Sequence, residues 1–228
     1  MIYTVTLNPA LDKTVQIPSF RLGEVNRISA MRTDPGGKGI NVSKVLRELG
    51  EPSVAAAILG GAAGRKIESA LRALGIEGMY LFTEHETRTN LKIVDPTLHT
   101  NTDVNEPGAP ADEAVLSKLL TQLTDRLRPG DLVVLSGKAP AGAPDTLYRD
   151  WILACRAAGA AVYLDAEGEL LRQGVTAGPA LIKPNQAELS GVMGRPLTTE
   201  DETIRAAQEL LAQGVGCVAV TMGAGGAL

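Results

Sequence analysis

The chain has 228 residues, 44% of them hydrophobic and only 3% aromatic, with a formal net charge of −4. That length supports a sizeable aliphatic core, and mild acidity with no block of like charge argues against nucleic acid or anionic membrane held by bulk electrostatics. No apolar run approaches a membrane span, residues 1–10 lack the basic start of a signal peptide, and the isolated Cys155 and Cys217 read as buried, reduced thiols of a cytoplasmic protein.

Residues 2–7 form an apolar strand. The run Asp34-Pro35-Gly36-Gly37-Lys38-Gly39-Ile40-Asn41-Val42-Ser43 then opens a helix that continues through 44–49 and stops at Gly50. Its glycines let backbone N–H groups approach a ligand closely, and a helix start adds oriented donors and partial positive charge. Lys38 contributes a full charge, and the Asn41 amide both donates to and accepts from hydroxyls. Such a loop suits a small phosphorylated or polyhydroxylated ligand. It lacks the spacing of a Walker A loop.

Further on come a strand at 53–59, a helix at 64–74 ended by Gly75, and a strand at 79–82. A helix at 111–127 precedes Pro129-Gly130, followed by a strand at 131–135, a helix at 144–158 and a strand at 161–164. A short strand at 180–182, a helix at 200–213 and a strand at 216–221 complete the order. Strands alternating with helices imply a parallel sheet covered on both faces, with ligands bound beyond the carboxyl ends of its strands. Residues 13–32 and 87–103 break this rhythm. Segments 14–17, 25–32, 90–94 and a stretch after Pro96 read as antiparallel strands of a small lid. There is no repeat and no linker, so residues 1–228 read as one domain, with lid strands at about 13–33 and 88–103. His85 and His99 are the only histidines. A metal site built on imidazole and thiolate, or a Ser-His-Asp hydrolase, is poorly supported.

Six motifs follow one another along the chain. They are Thr6-Leu7-Asn8-Pro9-Ala10-Leu11-Asp12, Gly36-Gly37-Lys38-Gly39-Ile40-Asn41-Val42, Thr87-Arg88-Thr89-Asn90, Ser136-Gly137, Lys183-Pro184-Asn185-Gln186-Ala187-Glu188, and Thr221-Met222-Gly223-Ala224-Gly225-Gly226-Ala227-Leu228. As an ordered set they resemble the ribokinase-like (PfkB) sugar kinases, and within them the 1-phosphofructokinase and tagatose-6-phosphate kinase branch. The resemblance covers the whole chain. It implies a Rossmann-like, mostly parallel α/β fold with helices on both faces and a small β lid, and transfer of the γ-phosphoryl of ATP, with Mg²⁺, to a sugar hydroxyl.

By that resemblance Asp12, Gly36, Gly37, Lys38, Asn41, Arg88, Asn90 and Ser136 hold the sugar phosphate. Lys183, Asn185, Glu188, Thr221, Gly223 and Gly226 hold the nucleotide, and Glu188 also holds the metal. The side-chain chemistry agrees. The Asp12 carboxylate accepts from sugar hydroxyls, and a guanidinium such as Arg88 grips a phosphate by two parallel hydrogen bonds. Arg27 either reaches the same phosphate or lies on a solvated lid face. Asn185 and Glu188 share one face of a helix that Pro184 helps to start, and a carboxylate there suits Mg²⁺ held through water. Lys183 meets nucleotide phosphates, and Asp165 is a second acid near the metal. The terminal glycine loop is not a dinucleotide fingerprint.

Two departures stand out. The family's later Gly-Ala-Gly-Asp segment, whose glycines form an anion hole and whose aspartate is the general base, does not occur in this chain. No catalytic residue is therefore assigned, the C-terminal elements of the fold are expected to be missing, and the polypeptide is expected to turn over little or nothing. Lys138 follows Ser136-Gly137 where the family commonly has a small hydroxyl residue, and it either adds phosphate affinity or points to solvent. The implied reaction is phosphorylation of fructose 1-phosphate to fructose 1,6-bisphosphate, with tagatose 6-phosphate and fructose 6-phosphate as alternatives. A non-catalytic sugar-phosphate-binding protein is the alternative of another class. Arg88 and Lys38 argue against a neutral nucleoside substrate. By analogy a homodimer through the lid is expected.

Overall fold

The computed structural model describes residues 1–110 and 112–228. In chain order its elements are β1 (Ile2–Thr6), β2 (Ala10–Gln16), β3 (Ala30–Gly36), α1 (Lys38–Glu48), β4 (Ser53–Gly60), α2 (Gly61–Ala73), β5 (Glu77–Thr83), β6 (Arg88–Asp95) and β7 (Thr100–Asn105). They continue with α3 (Glu113–Arg126), β8 (Leu132–Ser136), α4 (Leu147–Ala157), β9 (Ala161–Asp165), α5 (Gly168–Val175), β10 (Leu181–Ile182), α6 (Gln186–Met193) and α7 (Glu200–Ala212). Residue 111, where the sequence starts the third helix, lies outside the described residues. Among the described residues no helix is long and apolar enough to cross a membrane.

The main sheet runs β10-β9-β8-β1-β4-β5 with every pair parallel. Side chains alternate across its strands, and that alternation splits the core in two. Tyr3 and Val5 of β1 and Val54 and Ala56 of β4 pack with Leu119, Leu123, Tyr148 and Ile152 of α3 and α4. Ala55, Ala57 and Leu59 of β4 face the other way, onto Ile40 of α1 and Ile67 and Leu71 of α2. Each fully buried Leu or Ile contributes about 1.5–3 kcal/mol relative to an exposed one. On the α1 side, β1 offers Thr4 and Thr6 instead of aliphatics. The Thr4 and Ser43 hydroxyls are 2.7 Å apart, and Ser53 Oγ donates to Ser43 Oγ at 3.0 Å, so these buried polar groups are satisfied. The small residues let α1 sit close on β1.

The two excursions form a second sheet, ordered β3-β2-β6-β7. Its outer pairs are antiparallel, but the central β2–β6 pair is parallel, which corrects the all-antiparallel expectation. The two hairpins enter from separate parts of the chain, and their mutual direction is set by how each leaves the main sheet. The second lid strand also starts later than expected, at Ala30, and runs on to Gly36. Val15, Ile17 and Ile93 form the sheet's own small core. Buried Asp95 joins the excursions by accepting from the backbone N–H groups of Ser19, Phe20, Thr97 and Leu98 at 2.7–3.1 Å.

Two more expectations are corrected and one element is added. Residues 216–221 do not form a ladder strand; they meet the sheet by isolated bridges, Ile182 with Val218 and Asn185 with Thr221. Their neighbour β10 is only two residues long, and Val220 instead exchanges both backbone hydrogen bonds with Leu228. Helix α5, which no sequence pattern marks, is the added element. Cys155 is buried but Cys217 is exposed, because the bridged segment turns that side chain outward.

Candidate active site

The carboxyl ends of β1, β8, β9 and β10 and the start of α1 converge beside the small sheet. An open cleft of about 460 Å³ lies there, and Gly37, Lys38, Asn41, Arg88, Asn90 and Ser136 all line it. A neighbouring polar cleft of about 510 Å³ is lined by Asp12, Lys44 and Lys92 and shares Asn90 with the first. The expected sugar-phosphate residues other than Gly36 thus line two adjoining clefts and come from β2, the start of α1, β6 and β8. Arg27 is exposed on the β2–β3 connection and lines neither cleft.

Local geometry explains several of these residue types. Asn90 Nδ2 donates to Asp12 Oδ1 at 2.9 Å across the parallel β2–β6 pair. The Asp12 carboxylate lies directly over Gly36, where a Cβ would fall 2.0 Å from Oδ2. Gly37, at φ 114, caps α1 without a side-chain hydrogen bond, so the helix start faces the cleft. Thr6 Oγ1 accepts from Ile40 N–H at 2.9 Å, fixing that start against β1.

Arg88 is half-buried. Its Nη2 donates to the Asn8 carbonyl and its Nη1 to the Glu106 carbonyl, both at 3.1 Å, with a longer 3.3 Å contact to Asn90 Oδ1. Its Nε is buried with no partner. Burial pulls the guanidinium pKa below its usual value, and the charges of Asp12 and Glu106 oppose that shift without cancelling it. The group is held by dipoles, with no carboxylate in ion-pair contact among the described residues.

The lysines are arranged differently. Lys38 Nζ is 3.1 Å and Lys183 Nζ 3.5 Å from the two oxygens of Asp165, at the end of β9. Lys138 Nζ is 2.9 Å from Glu167 Oε1. Asn185 and Glu188 form a capping box on α6: Asn185 Oδ1 accepts from Glu188 N–H at 2.9 Å, and Glu188 Oε2 accepts from Asn185 N–H at 2.8 Å. Thr221 bridges to Asn185, which sets the exposed Gly223–Gly225 turn beside Lys183 and the α6 start. No group of three or more His, Cys, Asp or Glu side chains able to hold a metal occurs among the described residues.

Sequence reasoning assigned no role to Thr6, Asn8, Asn105 or Glu106, which also line the first cleft. The segment Asn105-Glu106-Pro107-Gly108 straps across it. Asn8 Nδ2 donates to the Pro107 carbonyl at 3.1 Å, and Gly108, at φ +89, leaves no room for a Cβ beside Asn8 Oδ1. The Pro-Gly pair after a polar strand was the available signal.

Residues 5–228 match the pfkB family of carbohydrate kinases. The whole chain aligns with a 1-phosphofructokinase of Rhodobacter capsulatus at 41% identity, spanning 72% of that protein. The corresponding enzyme of Escherichia coli K12 is 33% identical over the same share of its length. A crystal structure of phosphofructokinase-2 from Escherichia coli in complex with fructose-6-phosphate superposes with a TM-score of 0.94 at 32% identity, covering all of this chain and 75% of that one. A tetrameric inhibited form of that enzyme is equally similar. The shared topology, a six-stranded parallel sheet with a small second sheet at its carboxyl edge, runs the full length of the described chain, and the chain belongs to the pfkB family of carbohydrate kinases.

Proposed function

We propose that this chain binds a ketohexose monophosphate, fructose 1-phosphate first among them, between its two sheets as the acceptor of an ATP-dependent phosphoryl transfer giving fructose 1,6-bisphosphate. The observation that carries this reading is Arg88, a half-buried guanidinium with an unpartnered Nε and no carboxylate partner among the described residues. Arg88 takes the sugar's phosphate. Asp12 and Asn90, already hydrogen-bonded to each other, present acceptor and donor groups to its hydroxyls. Gly37, Lys38 and Asn41 close the core side, and Ser136 supplies a buried hydroxyl with no partner of its own.

The nucleotide side fits a polyphosphate. Lys183 carries a half-exposed ammonium, and Gly223 and Gly226 have positive φ with open space where a Cβ would stand. ATP supplies the phosphoryl group, and its Mg²⁺ suits a site offering the carboxylate of Glu188, with Asp165 already held by Lys38 and Lys183, because that ion keeps several waters and takes phosphate oxygens. Lys38, Lys183 and the α1 start offset the charge gathered between the two ligands.

The general-base aspartate that the resemblance implies is not among these residues. That favours a second reading for the polypeptide 1–228, binding of the sugar phosphate without turnover. Calorimetry with fructose 1-phosphate in the absence of ATP tests the first reading, and Arg88→Gln is expected to weaken binding about 10–100-fold. Unchanged affinity in that variant would overturn the assignment. Stronger binding of tagatose 6-phosphate would reassign the sugar, and steady ADP release by residues 1–228 would remove the second reading. The exposed Leu22, Val25, Ile28 and Met31 of the small-sheet region support a homodimer through that sheet, which sedimentation would show as twice the 23.8 kDa chain mass.

A further inference from the structure

The cleft holds more cationic groups than one phosphate requires, and they fall into two kinds. Arg88, on the small-sheet side, has no carboxylate partner among the described residues. On the core side Lys38 and Lys183 share Asp165, and Lys138 rests on Glu167. Asp165 and Glu167 stand two residues apart at the end of β9, so one short segment holds three lysines with two carboxylates.

Lys138 is built into this arrangement by its backbone. Gly137 N–H donates to the Asp165 carbonyl at 2.9 Å, and the Gly137 carbonyl accepts from Tyr148 OH at 3.0 Å. Gly137 has φ +93, and a Cβ there would stand 3.6 Å from Lys38 Cβ, so the turn carries Lys138 past the stem of Lys38. Both lysines line the cleft that Arg88 lines. The Lys138–Glu167 pair is exposed, with 71% and 46% of the two side chains accessible. Exposed pairs of this kind contribute little, so Lys138 leaves Glu167 readily for a better anion. A phosphate is one, with more charge and more acceptor oxygens than a carboxylate.

We propose that Lys138 is a phosphate-binding, specificity-determining residue held ready on Glu167, and that it makes a doubly phosphorylated ketohexose a tighter ligand of this cleft than the singly phosphorylated one. The inference rests on the kinase-site reading above and deepens it. A monophosphate is met by Arg88 and leaves the lysines on their carboxylates. A second phosphate at the core end draws Lys138 off Glu167 and gains a charged hydrogen bond that the monophosphate does not make. The implied product of the transfer is therefore retained by the cleft that forms it.

The test is calorimetry on residues 1–228 without nucleotide, with fructose 1-phosphate and fructose 1,6-bisphosphate, for the wild type, Lys138→Ser and Glu167→Gln. The wild type is expected to bind the bisphosphate about tenfold more tightly. Lys138→Ser is expected to bring that ratio to about 1–2. Glu167→Gln removes the competing carboxylate and is expected to raise the ratio. A purely structural surface pair would move neither ratio. An unchanged ratio in Lys138→Ser, or a lowered one in Glu167→Gln, overturns the inference alone. Failure of the wild type to bind fructose 1-phosphate overturns the kinase-site reading and this inference with it.

Discussion

Gly39→Ala separates helix propensity from packing by the sign of its effect. Gly39 lies buried in the first turn of α1. Propensity alone favours alanine there by about 1 kcal/mol. The structure opposes it: a Cβ would stand 2.5 Å from Val5 O and from Thr6 Oγ1, and 2.9 Å from the Val5 carbonyl carbon. Val5 is in β1, which pairs with β4 on one side and β8 on the other, so its backbone has little freedom to yield. Helix α1 must lift instead. Lifting strains the Ile40 N–H to Thr6 Oγ1 bond and the Thr4–Ser43 contact, at about 1 kcal/mol each. Overpacking adds about 1–3 kcal/mol. With the propensity gain set against these costs, the net loss is about 2–4 kcal/mol, or a fall in Tm of about 5–15 °C for a chain of this size. Urea and thermal unfolding followed by circular dichroism measure it, with the m-value checked for two-state behaviour. Gly191→Ala is the control, because that helical glycine has nothing within 4 Å of an added Cβ. It is expected to stabilise by up to about 1 kcal/mol. A stabilised Gly39→Ala would refute the close approach of α1 to β1, and with it the placement of the α1 start in the cleft.

Gly36→Ala is expected to act through Asp12. The added Cβ displaces the Asp12 carboxylate, the movable end of a side chain, from Asn90, so fructose 1-phosphate affinity falls about tenfold while Tm changes little. In an Asp12→Ala background the same substitution is expected to have no further effect on affinity, and a second loss there would contradict the contact. Asp95 gives a pH-dependent test. Burial by itself would raise its carboxyl pKa, and the N–H groups of Leu98, Phe20, Ser19 and Thr97 outweigh that, holding it below the usual range. A depressed native pKa stabilises the fold above the unfolded value of about 3.9, and that stability is lost as pH falls through the native value. Asp95→Asn is therefore expected to be less stable than the wild type at pH 7, with the gap closing below about pH 4. A gap that stays constant from pH 7 to pH 3 in urea titrations would contradict this account.

The main sheet was legible because its strands are short apolar runs separated by segments of helical period. The failures share a cause in tertiary pairing. Residues 216–221 have the composition of a buried strand, but their partner Leu181–Ile182 is too short to ladder. The small sheet's central parallel pair depends on where two distant hairpins leave the core, which no local pattern records. Helix α5, Gly168–Val175, is short and begins at a glycine with φ +59, so it reads as a connection.

The candidate site was legible to a different depth. Motifs gave residue types suited to a sugar phosphate, and the fold brings Gly37, Lys38, Asn41, Arg88, Asn90 and Ser136 to one cleft and Asp12 to its neighbour. They did not give what those residues do without a ligand. Lys38 and Asp165 are 127 residues apart, and nothing in either motif pairs them. Yet the pairing sets an order of events. Arg88 is half-buried and carries no competing carboxylate among the described residues, so on the proposed reading a phosphate engages it without displacing an ion-pair partner. Each core-side lysine must first give up an Asp165 or Glu167 contact. On that reading, binding is expected to begin at the small sheet and tighten toward the core. An Arg88→Gln variant should for that reason slow association and weaken both sugar phosphates together, whereas Lys138→Ser should act more on the bisphosphate than on the monophosphate, and through its dissociation rate. Stopped-flow measurement of the two rates distinguishes this order from simultaneous engagement, in which either substitution would change the bisphosphate's rates in the same way.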